Sequence, residues 1–99
     1  MRARFTSVAE TEFSDAADFY ENSETGIGEE FIDTVLSSIA RIQAFPNLGR
    51  PLKRNFRSIP TTTFPYNLIY EVLNEEIIIH AVAHQSRKPE YWIDRILDR

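Results

Sequence analysis

Two strand patterns, Tyr66 to Leu73 (YNLIYEVL) and Glu76 to His84 (EIIIHAVAH), flank Asn74-Glu75, and this pairing constrains the fold more than any other feature of the chain. β-branched and aromatic residues dominate both runs, and two intervening residues suit a tight hairpin turn. The expected register sets Val72 against Ile77, Tyr70 against Ile79, Leu68 against Ala81 and Tyr66 against Ala83. One sheet face is then wholly apolar or aromatic and must be covered by other elements. The opposite face carries Asn67, Ile69, Glu71, His80, Val82 and His84, a mixed set expected of a half-open face.

The cover comes from the N-terminal half. Arg2 to Thr6 reads as a short first strand, and Ser7 with Glu10 fits a capping box opening a helix that runs to about Glu21. Ala9, Phe13, Ala16, Ala17 and Tyr20 form one apolar stripe along it. After the connection Asn22 to Gly28, a second helix from Glu29 carries Phe31, Val35, Ile39 and Ile42 on one stripe and Ile32, Leu36 and Ala40 on another beside it. Two adjacent apolar stripes predict a helix wedged between a sheet and another helix. Phe45-Pro46-Asn47-Leu48-Gly49-Arg50-Pro51 breaks the helix, since proline lacks the amide donor and restricts the residue before it. Arg57 to Thr63 contains Pro60 and so predicts an edge strand, and Glu90 to Leu97 predicts a short last helix opened by Pro89.

Ninety-nine residues with a 42% apolar fraction suffice for one compact domain over residues 1–99. Cysteine is absent, which excludes disulfides, thiolate catalysis and thiolate-ligated metals and fits a reducing cytoplasm. The longest run of large aliphatics is Ile77-Ile78-Ile79, so no membrane span or signal segment is expected. The net charge of −4 is segregated. Residues 1–40 carry −7, residues 41–70 carry +5 from Arg41, Arg50, Lys53, Arg54 and Arg57, and the remainder carries −2. An acidic helical half joined to a basic middle either presents two surfaces to two partners or simply solvates two faces.

Chemistry is sought at the C-terminal end of the best strand, where His84-Gln85-Ser86-Arg87-Lys88-Pro89-Glu90-Tyr91-Trp92 concentrates polar and aromatic groups. His80 and His84 are the only histidines, and roughly 13 Å of strand between them is too far for one metal ion, so no metal site is expected. No glycine-rich phosphate loop exists among three glycines, and no cofactor is expected. Arg54, Arg57, His84, Arg87 and Tyr91 include the residue types that a metal-free ribonuclease needs for its base, acid and phosphate-holding cations. Tyr91 and Trp92 have an equally simple alternative as anchors of the last helix.

Three segments together resemble the RelE/ParE superfamily of bacterial toxin-antitoxin and plasmid stabilisation proteins: Ile42 to Pro51 (IQAFPNLGRP), Phe64 to Val72 (FPYNLIYEV) and Ala83 to Trp92 (AHQSRKPEYW). The Phe-Pro-x-x-Gly-Arg-Pro and His-Gln-x-Arg-x-Pro-x-Tyr-Trp patterns are similar to the ParE-like branch. The resemblance implies an α+β fold, with an N-terminal helical hairpin on a three- to four-stranded, mainly antiparallel sheet in the order β-α-α-β-β-β and a short C-terminal helix. It also implies a cognate antitoxin, a toxin-antitoxin hetero-oligomer and one of two targets: DNA gyrase for ParE-like members, or messenger RNA on the ribosome for RelE-like ribonucleases. A third possibility is a non-toxic member that only binds its antitoxin and regulates.

In the ribonuclease branch the position after the strand tyrosine is typically a phosphate-holding arginine, whereas Tyr66 here is followed by Asn67. Overall acidity likewise argues against a ribosome-bound nuclease, which gains affinity by neutralising phosphates. These two features favour the non-nuclease reading, and the resemblance to the ParE-like branch then implies a gyrase-directed toxin that contacts nucleic acid only through its antitoxin complex, with the ribosome-dependent ribonuclease and the regulatory member as the alternatives. Its target would be gripped by His84, Arg87, Lys88, Tyr91 and Trp92, and its antitoxin would lie on Phe31, Ile32, Leu36 and Ile69.

Overall fold

The computed structural model describes residues 1–97. Its elements are β1 (Arg2–Phe5), α1 (Ser7–Ser23), α2 (Ile27–Ala44), β2 (Arg50–Pro51), β3 (Phe56–Pro60), β4 (Tyr66–Leu73), β5 (Glu76–His84) and α3 (Asp94–Leu97). The strands form one sheet in the order β1-β5-β4-β3-β2, parallel only where β1 meets β5. The expected α+β architecture holds, and the sheet reaches five strands because Arg50–Pro51 adds a two-residue edge to β3.

β4 and β5 have the bounds expected of them. Asn74 and Glu75 both take positive φ, 53° and 62°, as a type I′ turn requires. Register follows the expectation for Val72 against Ile77 and Tyr70 against Ile79, and then departs from it. A bulge leaves His80 unmatched, so Ile69 faces Ala81, Leu68 faces Val82 and Tyr66 faces His84. One extra residue inverts the alternation beyond it. Val82 therefore joins the helix-facing core with Leu68, Tyr70, Ile77 and Ile79, while Ala81 and Ala83 turn to the other face.

That other face is not half-open. Phe56, Ile69, Ala81 and Ala83 are covered by Trp92 and Ile96 from the C-terminal segment, which makes a second, smaller core. The last helix is shorter than expected: residues 88–93, Pro89 among them, form successive turns, and regular helix begins only at Asp94.

Thr6, not Ser7, caps α1, its hydroxyl accepting the Ala9 amide at 3.2 Å. The α2 N-terminus has no side-chain cap of its own. Glu21 of α1 supplies one, its carboxylate accepting the amides of Gly26 and Gly28 at 3.1 Å. The helices meet so closely there that a Cβ on Gly28 would lie 2.6 Å from the Ala17 carbonyl oxygen. α2 buries the stripe Phe31, Val35, Ile39 and Ile42, but its second stripe is wedged only in part: Ile32 is half-buried against the core, and Leu36 and Ala40 are exposed. Among the described residues, no helix is long and apolar enough to cross a membrane.

Candidate functional site

β5 ends at His84, where the Gln85 amide donates to the Pro65 carbonyl at 2.7 Å and the Arg87 amide to the His84 carbonyl at 3.0 Å. The chain then folds back across the second core. Between this returning segment and the sheet lies a cleft of about 300 Å³. Ser58, Asn67, Ile69 and Ala83 floor it, Gln85 to Trp92 wall it except for Ser86, and Arg50 and Leu52 close it from the edge. Glu90, in the wall, takes the left-handed conformation at φ 61°, which costs a non-glycine residue about 1–2 kcal/mol.

All five residues expected to grip a target line this cleft, but in different ways. Arg87 and Lys88 are exposed cations. His84 is half-buried, its ring 5.0 Å from that of Tyr66. The Ser86 amide donates to its Nδ1 at 3.0 Å, and the Ser86 hydroxyl lies 2.7 Å from the same nitrogen. Trp92 is only 3% exposed, with its ring 5.3 Å from Phe56, and works chiefly as packing.

Tyr91 is tied into a network whose centre, Glu12, lies on α1. β1 ends opposite Ile79, and α1 continues alongside β5. There Glu12 Oε1 accepts the Val82 amide at 3.0 Å and Arg95 Nη1 at 3.1 Å, and Oε2 accepts the Tyr91 hydroxyl and Arg95 Nη2, both at 2.7 Å. Burial alone would raise the Glu12 pKa, but Arg95, Tyr91 and the Val82 amide together hold it below the ordinary glutamate value. Burial and the bond to Glu12 push the Tyr91 phenol up to about 12, against the opposing pull of Arg95 and Arg87. The Arg87 guanidinium carbon lies 3.8 Å from the centre of the Tyr91 ring.

The structure does not bring Arg54 and Arg57 to the cleft. Arg54 is exposed on a turn at φ 56°, lining a separate recess with Arg57. Arg57 donates to the carbonyls of Asn47 and Gly49 at 3.2 and 2.8 Å, which fixes the loop before β2. Of the basic stretch from Arg50 to Arg57, a second candidate surface by its charge, only Arg50 and Leu52 reach the cleft, carried there by the loop that Pro46 and Pro51 bracket. Nothing in the sequence marks Glu12, whose partners lie 70 to 83 residues away.

Of the residues expected to meet an antitoxin, Phe31 is 0% and Ile69 4% exposed, so neither offers a surface. Ile69 is covered because the C-terminal segment closes the face expected to be open. Leu36 is 49% exposed and Ile32 half-buried.

The cleft's charges are Arg50, Arg87 and Lys88 against Glu90, which pairs with Lys53 at 3.0 Å. It is thus a cationic recess in an acidic chain. Chemically it can hold anionic or hydrogen-bonding groups, but its one phenol is already committed. His80, outside the cleft, is buried and 2.7 Å from Glu71. Among the described residues no three His, Asp or Glu side chains converge as a metal site would require.

Residues 3–89 match the family described as the ParE toxin of the type II toxin-antitoxin system, parDE. The chain belongs to this family. The ParE match stops at Pro89, short of Tyr91 and Arg95. A chain of the chromosomal ParDE toxin-antitoxin system from P. aeruginosa superposes with a TM-score of 0.64 at 18% identity, covering 85% of this chain and 95% of that one. The isolated E. coli RelE toxin superposes at 0.62 and 17% identity, covering 97% and 98%. At such identities both show a shared fold. No curated protein matches this ParE-family chain in sequence.

Proposed function

We propose that this ParE-family toxin arrests growth by inhibiting DNA gyrase in the cytoplasm, gripping its target through the cationic cleft, and that a cognate antitoxin neutralises it by forming a hetero-oligomer. The observation that carries the choice of gyrase over messenger RNA is the state of Tyr91. A ribonuclease of this architecture needs a base and an acid both free to move protons at the cleft, the roles for which His84 and Tyr91 are the candidates there. Tyr91 instead donates to Glu12 at 2.7 Å, and burial together with that bond pushes its phenol up to about 12. Asn67, neutral on the cleft floor, supports the same choice, since loss of one electrostatic stabiliser of a transition state typically costs roughly 10²- to 10³-fold in rate. The exposed Leu36 and the half-buried Ile32 beside it on α2 give the antitoxin an apolar foothold without any rearrangement of the core.

Controlled induction in growing cells tests this. The expected result is growth arrest, relaxation of plasmid supercoils and rescue by the co-expressed product of the adjacent small gene. Codon-positioned messenger cuts within minutes of induction, with supercoiling unchanged, would favour the ribonuclease. Normal growth at high expression would favour the non-toxic regulatory member.

A further inference from the structure

We infer that Glu12, on α1 and outside the cleft, is a positioning residue for the target-gripping surface: it holds Tyr91 so that the Tyr91 ring orders the Arg87 guanidinium at the cleft wall. This rests on the proposal that the cleft is the gripping surface.

Glu12 does not itself line the cleft, yet its Oε2 holds the hydroxyl of Tyr91, which does. The paired bonds to Arg95 fix the plane of the carboxylate, and that plane then presents Oε2 to the Tyr91 hydroxyl. The hydroxyl pins the tip of the ring, and the face of the ring carries Arg87 at 3.8 Å. Among the described residues, Arg87 joins no ion pair. An exposed arginine without a carboxylate partner would otherwise sample many rotamers, and stacking on a fixed ring restricts it before any target arrives.

The Glu12 charge acts in a second way. Arg95 lies 5.0 Å from the same ring, so two guanidinium groups share one aromatic surface. Glu12 pairs with Arg95 at 2.7 Å, which offsets the positive charge of Arg95 beside the ring that carries Arg87. A purely structural clasp between α1 and the C-terminal segment would need only the Glu12–Arg95 pair. The added bond to Tyr91 is what links Glu12 to Arg87.

The full-length chain carrying Glu12→Gln, Tyr91→Phe, both, or Arg87→Ala tests this with two readouts. One is the upfield ring-current displacement of the Arg87 side-chain protons by NMR. The other is the amount of folded protein needed for half-maximal growth arrest. Glu12→Gln and Tyr91→Phe should each move the Arg87 protons towards the positions of an exposed arginine. Each should raise the required amount roughly two- to five-fold, the worth of one exposed cation–π contact, and the double variant should do no more than either single one. Should Glu12→Gln fail to fold, Tyr91→Phe decides alone, because it removes only the hydroxyl and leaves the Glu12–Arg95 pair in place. Arg87 protons unmoved in the folded variants would overturn the positioning role, as would full potency of both variants alongside a loss in Arg87→Ala. Full potency of Arg87→Ala would instead sink the cleft as the gripping surface, and the NMR displacement would still decide the role of Glu12.

Discussion

The hydroxyl of Tyr70 accepts the Gly49 amide at 2.9 Å while donating to the Pro46 carbonyl at 2.8 Å, so one buried phenol closes the loop that carries Arg50 into the cleft. Tyr70→Phe removes the partner of two backbone groups at once. It should cost about 1–3 kcal/mol, the penalty for buried groups left unpaired, and lower the urea midpoint with little change in slope. Gly49→Ala should act in the same direction, since its Cβ would lie 2.7 Å from the Tyr70 oxygen. An unchanged midpoint in both variants would show that the loop is held by other means.

Trp92 and Lys88 line the same cleft and should behave oppositely. Trp92 is 3% exposed against Phe56, and its truncation to alanine should cost about 3–5 kcal/mol, reducing growth arrest through loss of folded protein. Lys88→Ala, at an exposed position, should change stability by less than about 0.5 kcal/mol. Thermal unfolding of the two variants checks this, and a Trp92→Ala protein as stable as the parent would contradict the packing role.

The cluster of Glu12 with Arg95 and Tyr91 also shapes the pH response. The depressed Glu12 pKa contributes stability that is present above the ordinary glutamate value and is lost as pH falls through the lower folded value. The raised Tyr91 pKa contributes stability that is complete below pH 10 and is lost as pH rises from 10 towards about 12. Burial raises Tyr20 and Tyr66 as well, so Tyr91→Phe should shallow the alkaline loss rather than abolish it. Identical alkaline slopes in parent and variant, followed by chemical unfolding at stepped pH, would contradict the coupling.

How far the sequence disclosed this arrangement depends on the range of each interaction. β4 and β5 were legible to the residue, because β-branched alternation and a two-residue turn are local signals. The bulge at His80 was not, since in a run as apolar as Ile77 to Ala83 a one-residue slip exchanges one buried side chain for another. β2, at two residues, is too short to carry a pattern. The cleft wall was legible as a dense polar segment, whereas Arg57, a candidate phosphate ligand by type, proved to be a loop clamp. Burial of Phe31 followed from its stripe. Burial of Ile69 did not, because it depends on Trp92 and Ile96 returning across the sheet.

The most direct test of the central claim is a supercoiling assay with purified gyrase and the purified, antitoxin-free chain, run beside a ribosome-programmed messenger cleavage assay on the same preparation. The account predicts that the parent protein inhibits supercoiling and leaves messenger intact. Arg87→Ala, folded and with an unchanged melting temperature, should need about 10-fold or more additional protein for the same inhibition, consistent with a lost charged hydrogen bond of roughly 1.5–3 kcal/mol. Messenger cleavage with undisturbed supercoiling would contradict it.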